Sequence, residues 1–507
     1  MEQRRKGQHR DVAHLDAPPV AVCMLTEGTY PHHEGGVSVW CDQLVRGLSE
    51  VQFGVDAITT VGTEPEVWQV PANNPVRRAV PLWRMLDEPL PMRAVPRPLL
   101  EVLDRAVACF LGADADVIEV FRSLHLLARD GRLGPALLSR PVVDMVHGHL
   151  VRHTVGRAVG PTPLRPPTVG DAVGAVRTLE HLLRPMGAPP MRASLTHAAA
   201  NGLSVLLAMT SAWELGTPFL LTEHGMYLRE RFIASNPSVL GHHERVLVLG
   251  FLERLTTAGY ELATVIAPGS GFNAGWEVHC GADPVKIRTI HNGVEPELFW
   301  PPRGPADPDT IVWIGRLDPL KDVKTMLRAF AEVVAIRPQT RLRIFGGVQK
   351  GNEQYVRECV DLHEALRLGD RAVFEGRVAS VHDAYGAGRV VVSTSISEGF
   401  PYTVLEAMAS GCAVVATDVG GVGEAVGDAG VMAAPGDATA LATACLELLA
   451  DPARVAALGD AARERVASNF TLALCLERYR SLYAELMDTD GLLAPSPRSL
   501  APIVTNA

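Results

Sequence analysis

Two Rossmann-like domains of the α/β class, each around a parallel sheet, are what three features of this sequence predict. At 507 residues the chain is too long for one ordinary hydrophobic core and suits two. Its second half alternates short Val- and Ile-rich runs with helical periodicity, as strands buried on both faces do when helices serve as crossovers. Its first half opens with an apolar run, a glycine-containing turn and a helical pattern, the start of a nucleotide-type domain.

Taken in order, residues 1–16 are polar and are expected to be disordered. Residues 20–25 read as a strand, and the turn-rich stretch 26–36 leads into a helix over about 37–48. Prolines and tryptophans break every period across 63–98, and a second proline-rich stretch covers 161–190; both are expected to be irregular insertions. Between them, 98–111 and 116–129 have helical spacing. A weak strand pattern at 192–196 precedes a helix over 198–215, a strand at 218–222 and the loop Glu223-His224-Gly225. A long helix, about 239–258, then leads to the apolar run 263–267. Prolines up to Pro308 mark a boundary, giving domains of 17–300 and 301–470.

The second domain is cleaner. Strands are expected at 310–314, 342–345, 372–374, 390–393, 413–416 and 430–432. In the helix after Lys321, the residues Val323, Met326, Leu327, Phe330, Val333 and Val334 share one face and read as core. Helices at about 438–450, 452–469 and 472–487 close the fold. The last, within 471–490, is of a kind that can cross back to the first domain, and 491–507 reads as a tail.

Composition narrows the function. A net charge of −10 supplies no overall attraction to nucleic acid, so no nucleic-acid partner is expected. The eight cysteines are scattered without a CxxC pair, which argues against a disulfide framework or zinc ribbon and for a reduced, cytoplasmic setting. Arg4, Arg5 and Lys6 are followed by polar residues, so no signal peptide is expected, and no run of about 18 uncharged apolar residues suggests a membrane span.

The strongest motif is Ser397-Glu398-Gly399-Phe400-Pro401-Tyr402-Thr403-Val404-Leu405-Glu406. It follows a buried strand, which puts Glu398 in a loop at the strand's carboxyl end, where open α/β sheets bind ligands. Pro401 suits a helix start and Gly411 a helix stop. Free N–H groups over residues 402–405 then form an anion site, and Glu406 can accept hydrogen bonds from a vicinal diol. The plainer reading makes Glu398 a helix-terminal charge and Glu406 a surface residue. A second motif, Gly315-Arg316-Leu317-Asp318-Pro319-Leu320-Lys321-Asp322, also links a strand to a helix. Arg316 can grip phosphate as a fork and Lys321 as a point charge. Two cations and a helix N-terminus would neutralise a departing diphosphate without a metal, although the same residues also read as a capping sequence on a solvated rim.

Together these segments resemble the retaining, GT-B-fold glycosyltransferases of family four, over nearly all of the second half. The resemblance implies two domains facing across a cleft. Glu398 would contact the donor sugar, Glu406 the ribose hydroxyls, and Arg316 and Lys321 the diphosphate. It also implies that the backbone at Val378, within Gly376-Arg377-Val378, reads the nucleobase and that the amides of Gly399 and Phe400 face the transferred sugar.

In the first half, Thr26-Glu27-Gly28-Thr29-Tyr30-Pro31 and Gly35-Gly36-Val37-Ser38-Val39-Trp40 look like the entry loop of one subgroup, and Leu220-Leu221-Thr222-Glu223-His224-Gly225 strengthens the match. That subgroup includes the cytosolic enzyme of Pel-type exopolysaccharide synthesis. Gly35 and Gly36 would let the backbone approach the diphosphate or acceptor, or simply make a tight turn. By resemblance His197 faces the reacting centre, the alternative being an ordinary buried histidine, and His224 is a lesser candidate near the acceptor.

Three other signals carry less. His147, His149 and His153 lack acidic or cysteine partners at metal-site spacing, so no metal is expected. Asp114-Ala115-Asp116 has the DxD form but reads as a helix start. The glycines at 269–275 lack both GxGxxG and P-loop spacing.

The expected activity is therefore retaining hexosyl transfer from a nucleoside diphosphate sugar to a hydroxyl acceptor such as a growing polysaccharide, with UDP-glucose favoured and no cofactor beyond that co-substrate. A GT-B-fold sugar-nucleotide epimerase, or a silent nucleotide-sugar-binding subunit associated with a membrane polysaccharide synthase, stands as the alternative.

Overall fold

The computed structural model describes residues 20–83, 88–155, 158–159, 162–234, 240–299, 307–348, 351–378 and 380–488. The expectations for 1–16 and 491–507 lie outside them. Two compact units divide the chain. The first holds the described residues of Met1–Ala267, Trp276–Arg288 and Arg480–Ala507, and the second those of Pro268–Gly275 and Thr289–Tyr479. The chain changes unit between Arg288 and Thr289, ahead of the boundary expected at 300.

The first unit opens with β1 (Val20–Glu27), α1 (Gly36–Gly47), β2 (Phe53–Thr59) and β3 (Val76–Pro81). Helices α2 (Arg97–Phe110), α3 (Val117–Arg129), α4 (Leu133–Leu137) and α5 (Arg140–Thr154) follow. A two-stranded antiparallel ribbon, β4 (Ala158–Val159) and β5 (Thr162–Pro163), leads to α6 (Val169–Leu183). Then come β6 (Ala193–Ala198), α7 (Ser204–Leu215), β7 (Phe219–Leu221), α8 (Tyr227–Ala234), α9 (His242–Leu262) and β8 (Val265–Ile266). The main sheet is parallel, in the order β3-β2-β1-β6-β7-β8. Val22, Met24 and Leu195 on its strands are buried, as expected of a sheet covered on both faces. Helix α10 (Gly271–His279) contributes residues to both units.

The second unit alternates strand and helix: β9 (Asp307–Ile314), α11 (Val323–Ile336), β10 (Arg341–Phe345), α12 (Glu353–Ala365), β11 (Ala372–Gly376), α13 (Val381–Tyr385) and β12 (Gly388–Ser393). It continues with α14 (Tyr402–Ala409), β13 (Ala413–Thr417), α15 (Val422–Val426), β14 (Gly430–Ala433), α16 (Ala438–Ala450), α17 (Pro452–Asn469) and α18 (Leu472–Asp488). From Arg480 onward α18 belongs to the first unit. The sheet order is β11-β10-β9-β12-β13-β14, all parallel. The predicted face of α11 is its core face, with Val323, Met326, Leu327, Phe330 and Val333 fully buried.

Both sheets thus run outward in opposite directions from a central pair, β1/β6 in one and β9/β12 in the other. At such a reversal the connections leave toward opposite faces, opening a crevice beyond the carboxyl ends of the strands. Among the described residues, no helix is long and apolar enough to cross a membrane.

Several sequence expectations need correction. The stretch 63–98 contains β3, an edge strand that can accept Pro81 at its end. Arg78 on β3 anchors it by pairing with the buried Asp56 of β2 (Nε to Oδ1 2.8 Å). The stretch 161–190 contains α6, whose apolar face buries Ala172, Ala175, Val176, Leu179 and Leu183. Its prolines fall before the cap or after the last turn, so none interrupts the helix. β6 runs to Ala198, so α7 starts at Ser204 instead of 198. Helix α9 extends to Leu262, past the expected end at 258, and its expected start at 239 lies outside the described residues.

Candidate functional site

The loops that leave β9 and β12 meet at the reversal of the second sheet. After β9, the backbone is tied to the β10 side by Gly315 N to Phe345 O at 3.0 Å and Leu317 N to Gly347 O at 3.1 Å. The Asp318 carboxylate then accepts from the amides of Leu320 (2.9 Å) and Lys321 (3.2 Å), closing a tight turn. Asp322 takes a left-handed φ of 46° and caps α11 by accepting from Thr325 N at 3.2 Å. The turn aims the Lys321 ammonium at the Glu398 carboxylate, and the two form an ion pair. Ser395 Oγ donates to the same Oε1 atom at 2.6 Å.

Two further bonds staple these loops together. Ile396 N donates to Leu320 O at 2.8 Å, and the Thr394 hydroxyl lies 2.8 Å from Lys321 O while accepting from Trp313 Nε1 at 3.1 Å. Arg316 stays on its own loop, its Nε 3.2 Å from Asp318 Oδ2 and its side chain 46% exposed. The predicted ammonium and first carboxylate therefore come together directly, while the guanidinium lies on the solvent side of the same turn.

The segment from Glu398 to Phe400 is held from behind. Gly421 N donates to Gly399 O at 2.8 Å, and Asn292 Nδ2 donates to Phe400 O at 3.1 Å. The Phe400 ring is buried, with ring centroids 4.9 Å from His291 and 5.2 Å from Phe470. His291 Nε2 in turn meets Glu424 Oε1 at 2.6 Å, and Glu424 Oε2 accepts from Gly271 N at 2.7 Å. Helix α14 then begins with Pro401 as N-cap and no side-chain cap, so the amides of Thr403 and Val404 are left for an anion. Leu405 is a correction: its N–H bonds to Pro401 O at 3.2 Å and its side chain is core.

Glu406, one turn into α14, accepts from the Tyr385 hydroxyl at Oε2 (2.8 Å). Burial of the carboxyl lifts it to about 7. Val378 is partly exposed in the loop that follows β11, at the same end of the sheet, just after Gly376 with its φ of 74°. Sequence reasoning passed over Ser395, Thr394, Tyr385, Asn292 and the Gly420-Gly421 pair. The one available signal was a Gly-Gly shortly after a buried strand.

The remaining candidates lie in the first unit. Gly35 is the N-cap and Gly36 the first residue of α1. Trp40 of that helix is buried, with its ring centroid 5.3 Å from His197 and 4.4 Å from His224. His197 sits within β6 and is fully enclosed, its Nδ1 2.8 Å from Tyr483 OH and its Nε2 2.8 Å from Thr222 Oγ1. Burial drives it down to about 3 and His224 down to about 4, so both imidazoles are neutral. His197 is thus buried within the first unit, as the alternative reading of an ordinary buried histidine has it.

At the carboxyl end of β1, Glu27 accepts from Leu203 N and from Tyr227 OH, both at 2.8 Å, and pairs with Arg231 at 3.1 Å. Asp116 caps α3, as its helix-start reading expects. His147 faces Pro167 O at 3.0 Å and His149 faces Asp104 at 2.7 Å.

Two parallel sheets of this order define a pair of Rossmann-like domains, the architecture of GT-B glycosyltransferase structures. Sucrose-phosphate synthase from Thermosynechococcus elongatus superposes with a TM-score of 0.60 at 21% identity, covering 92% of this chain and 100% of that one. Anabaena HepE in complex with UDP gives 0.58 at 16% identity, with 92% and 100% coverage. The chain belongs to the family described as "Domain of unknown function (DUF3492)", whose model matches residues 20–285, just over half of it. Residues 308–451 match the model described as "Glycosyl transferases group 1". The D-inositol 3-phosphate glycosyltransferase of Kineococcus radiotolerans is 35% identical over 230 residues, 39% of this chain and 53% of that protein. D-inositol 3-phosphate glycosyltransferase 2 of Catenulispora acidiphila is 35% identical over 207 residues, 37% and 48%. The chain spans about half the length of these curated relatives.

Proposed function

We propose that the protein is a retaining glycosyltransferase that moves a hexosyl group from a nucleoside diphosphate sugar, UDP-glucose first, to a saccharide hydroxyl. The observation that carries this reading is the Lys321–Glu398 ion pair, set beside the uncapped start of α14 at the sheet reversal. Group 1 relatives named as glycosyltransferases and a structural neighbour titled as a UDP complex support the donor class. The resemblance to the Pel-type enzyme favours glucose as the sugar, a growing polysaccharide as acceptor, a cytoplasmic site of action and a membrane synthase as partner.

In this reading the diphosphate sits against the amides of Thr403 and Val404, with Lys321 on one side and the Arg316 guanidinium at the rim adding positive charge. Glu398 accepts hydrogen bonds from the sugar hydroxyls, and its bond from Ser395 holds the carboxylate in place. As the bond from the anomeric carbon to the phosphate oxygen breaks, negative charge grows on the diphosphate, where the cations and helix amides are already oriented. The acceptor oxygen attacks the same face, and its proton passes to the departing phosphate. Protein cations take the charge that a divalent ion would otherwise carry, so no metal is required.

Lys321→Ala tests this. Loss of one preorganised charge contact of about 2.7–4 kcal/mol should lower turnover about a hundredfold or more. The measurement is nucleotide release from UDP-glucose by variant and wild type of matched circular dichroism. Equal turnover would remove Lys321 from the reaction.

A further inference from the structure

Tyr385 ends the short helix α13, which lies between the loop after β11 and strand β12. It is fully buried, its ring 6.3 Å from Phe299. Its hydroxyl oxygen lies 2.8 Å from Glu406 Oε2 and 3.0 Å from the carbonyl oxygen of Thr403. A phenol has one proton, and two acceptors converge on it. The carboxylate is the stronger acceptor, so the proton goes to Glu406 when that group is ionised. One tyrosine therefore touches both the first turn of α14, whose amides form the anion site, and the carboxyl one turn further on.

We infer that Tyr385 is a positioning residue for nucleotide binding: its hydroxyl holds one oxygen of Glu406, keeping the carboxylate ionised and leaving the other oxygen to the ribose diol. This rests on the donor reading above. A half-buried carboxyl tends to take up a proton, and a protonated carboxyl can no longer accept from two hydroxyls at once. Burial lifts Glu406 to about 7, while the bond from Tyr385 pulls it back down.

The charged groups on neighbouring elements are engaged elsewhere or exposed. Arg463 on α17 reaches the carbonyls of Ala409 and Ser410, at the far end of α14. Glu424 on α15 is bound to His291 and Gly271, and Glu297, in the 3-10 turn Pro296–Phe299, is exposed. On α13 itself, His382 and Asp383 precede Tyr385 near the helix start. Among the described residues, the hydrogen-bond partner of the Glu406 carboxyl is Tyr385.

The test is calorimetric titration of the full chain with UDP-glucose and its 2′-deoxyribose analogue, from pH 5.5 to 8.5. The diester diphosphate of these probes does not titrate in that range. Wild type should bind UDP-glucose more tightly as pH rises through about 7, and should prefer it over the deoxy analogue by about tenfold, the worth of a hydrogen bond to a charged group. Tyr385→Phe keeps the ring in its pocket. It should move the rise to higher pH and reduce the preference to about threefold or less at pH 7. Glu406→Gln should bind with a flat pH profile and a smaller preference than wild type.

Tyr385→Phe binding with wild-type midpoint and preference would overturn the inference while leaving the donor reading intact. Wild type that binds neither probe would sink the donor reading, and the inference with it. A wild-type profile that is flat across the range overturns the inference without depending on any variant's folding.

Discussion

At Gly420 the absence of a side chain lets the backbone pack against the loop that carries Glu398. Its φ is 58°, and a Cβ built there would stand 1.7 Å from the carbonyl oxygen of Glu398. No side-chain rotation relieves that contact, because the opposing atom is backbone. Gly420→Ala must therefore push the Glu398 loop away from α15 or distort its own backbone, at a cost of about 1–3 kcal/mol. The expected result is a lower Tm together with weaker UDP-glucose binding, read by calorimetry on the same preparation. A variant with unchanged affinity would show that the loop's position does not matter to the ligand. The sequence displays Gly420 only as half of a Gly-Gly pair, since its partner carbonyl lies 22 positions back along the chain.

Helix α6 shows how local chemistry can be overridden in a reading by composition. Thr168 caps it: its Oγ accepts from Asp171 N at 3.2 Å, while the Asp171 carboxylate accepts from Thr168 N at 2.6 Å. This reciprocal box satisfies two amides that would otherwise face solvent unpaired. Thr168→Ala should cost about 1 kcal/mol, read as a lower midpoint for the earliest urea transition of the chain. A midpoint within error of wild type would mean that the packing of α6 alone sets its stability. The Thr-x-x-Asp signature was present in the sequence, but surrounding prolines hid it. The β-strands of the second unit were legible for the opposite reason, because buried runs such as Val390-Val391-Val392 stand between clear turn residues.

On the scale of the whole molecule, the first unit carries an unusual electrostatic load in its interior. Glu223 is fully buried and accepts from Tyr227 N at 2.8 Å and Tyr260 OH at 2.6 Å. Glu277 is fully buried close by. Burial, reinforced by the neighbouring Glu223, raises Glu277 to about 9, and burial raises Glu223 to about 7. Both folded values lie above the ordinary carboxylate value of 4.5, so the folded chain holds protons that the unfolded chain releases. Their contribution to stability is fully present below that ordinary value and is lost as pH rises through about 7 and then about 9. Glu277→Gln removes the more basic group without changing shape. It should raise Tm at pH 9 by more than at pH 6, and an equal effect at both would mean that the pair does not titrate in the folded unit.

What the sequence determined by itself was the strand set of the second unit and the ends of those strands at which chemistry could occur. Side-chain period reports which faces are apolar, and Gly, Pro and Asp mark where chains turn. That was enough to place Glu398, Lys321 and Glu406 on loops and a helix start. Only the tertiary structure decided who meets whom. Lys321 and Glu398 are 77 residues apart, and Asn292 and Phe400 are 108 apart. Lys321 and Glu398 meet because β12 pairs with β9 across the reversal of the sheet, while the segment of Asn292 is held beside the start of α18 by the Val294–Thr471 bridge. Strand order is a property of whole-sheet packing, and no local period encodes it. The same holds for His197, whose burial depends on Trp40, Thr222 and Tyr483 closing around it from three other elements.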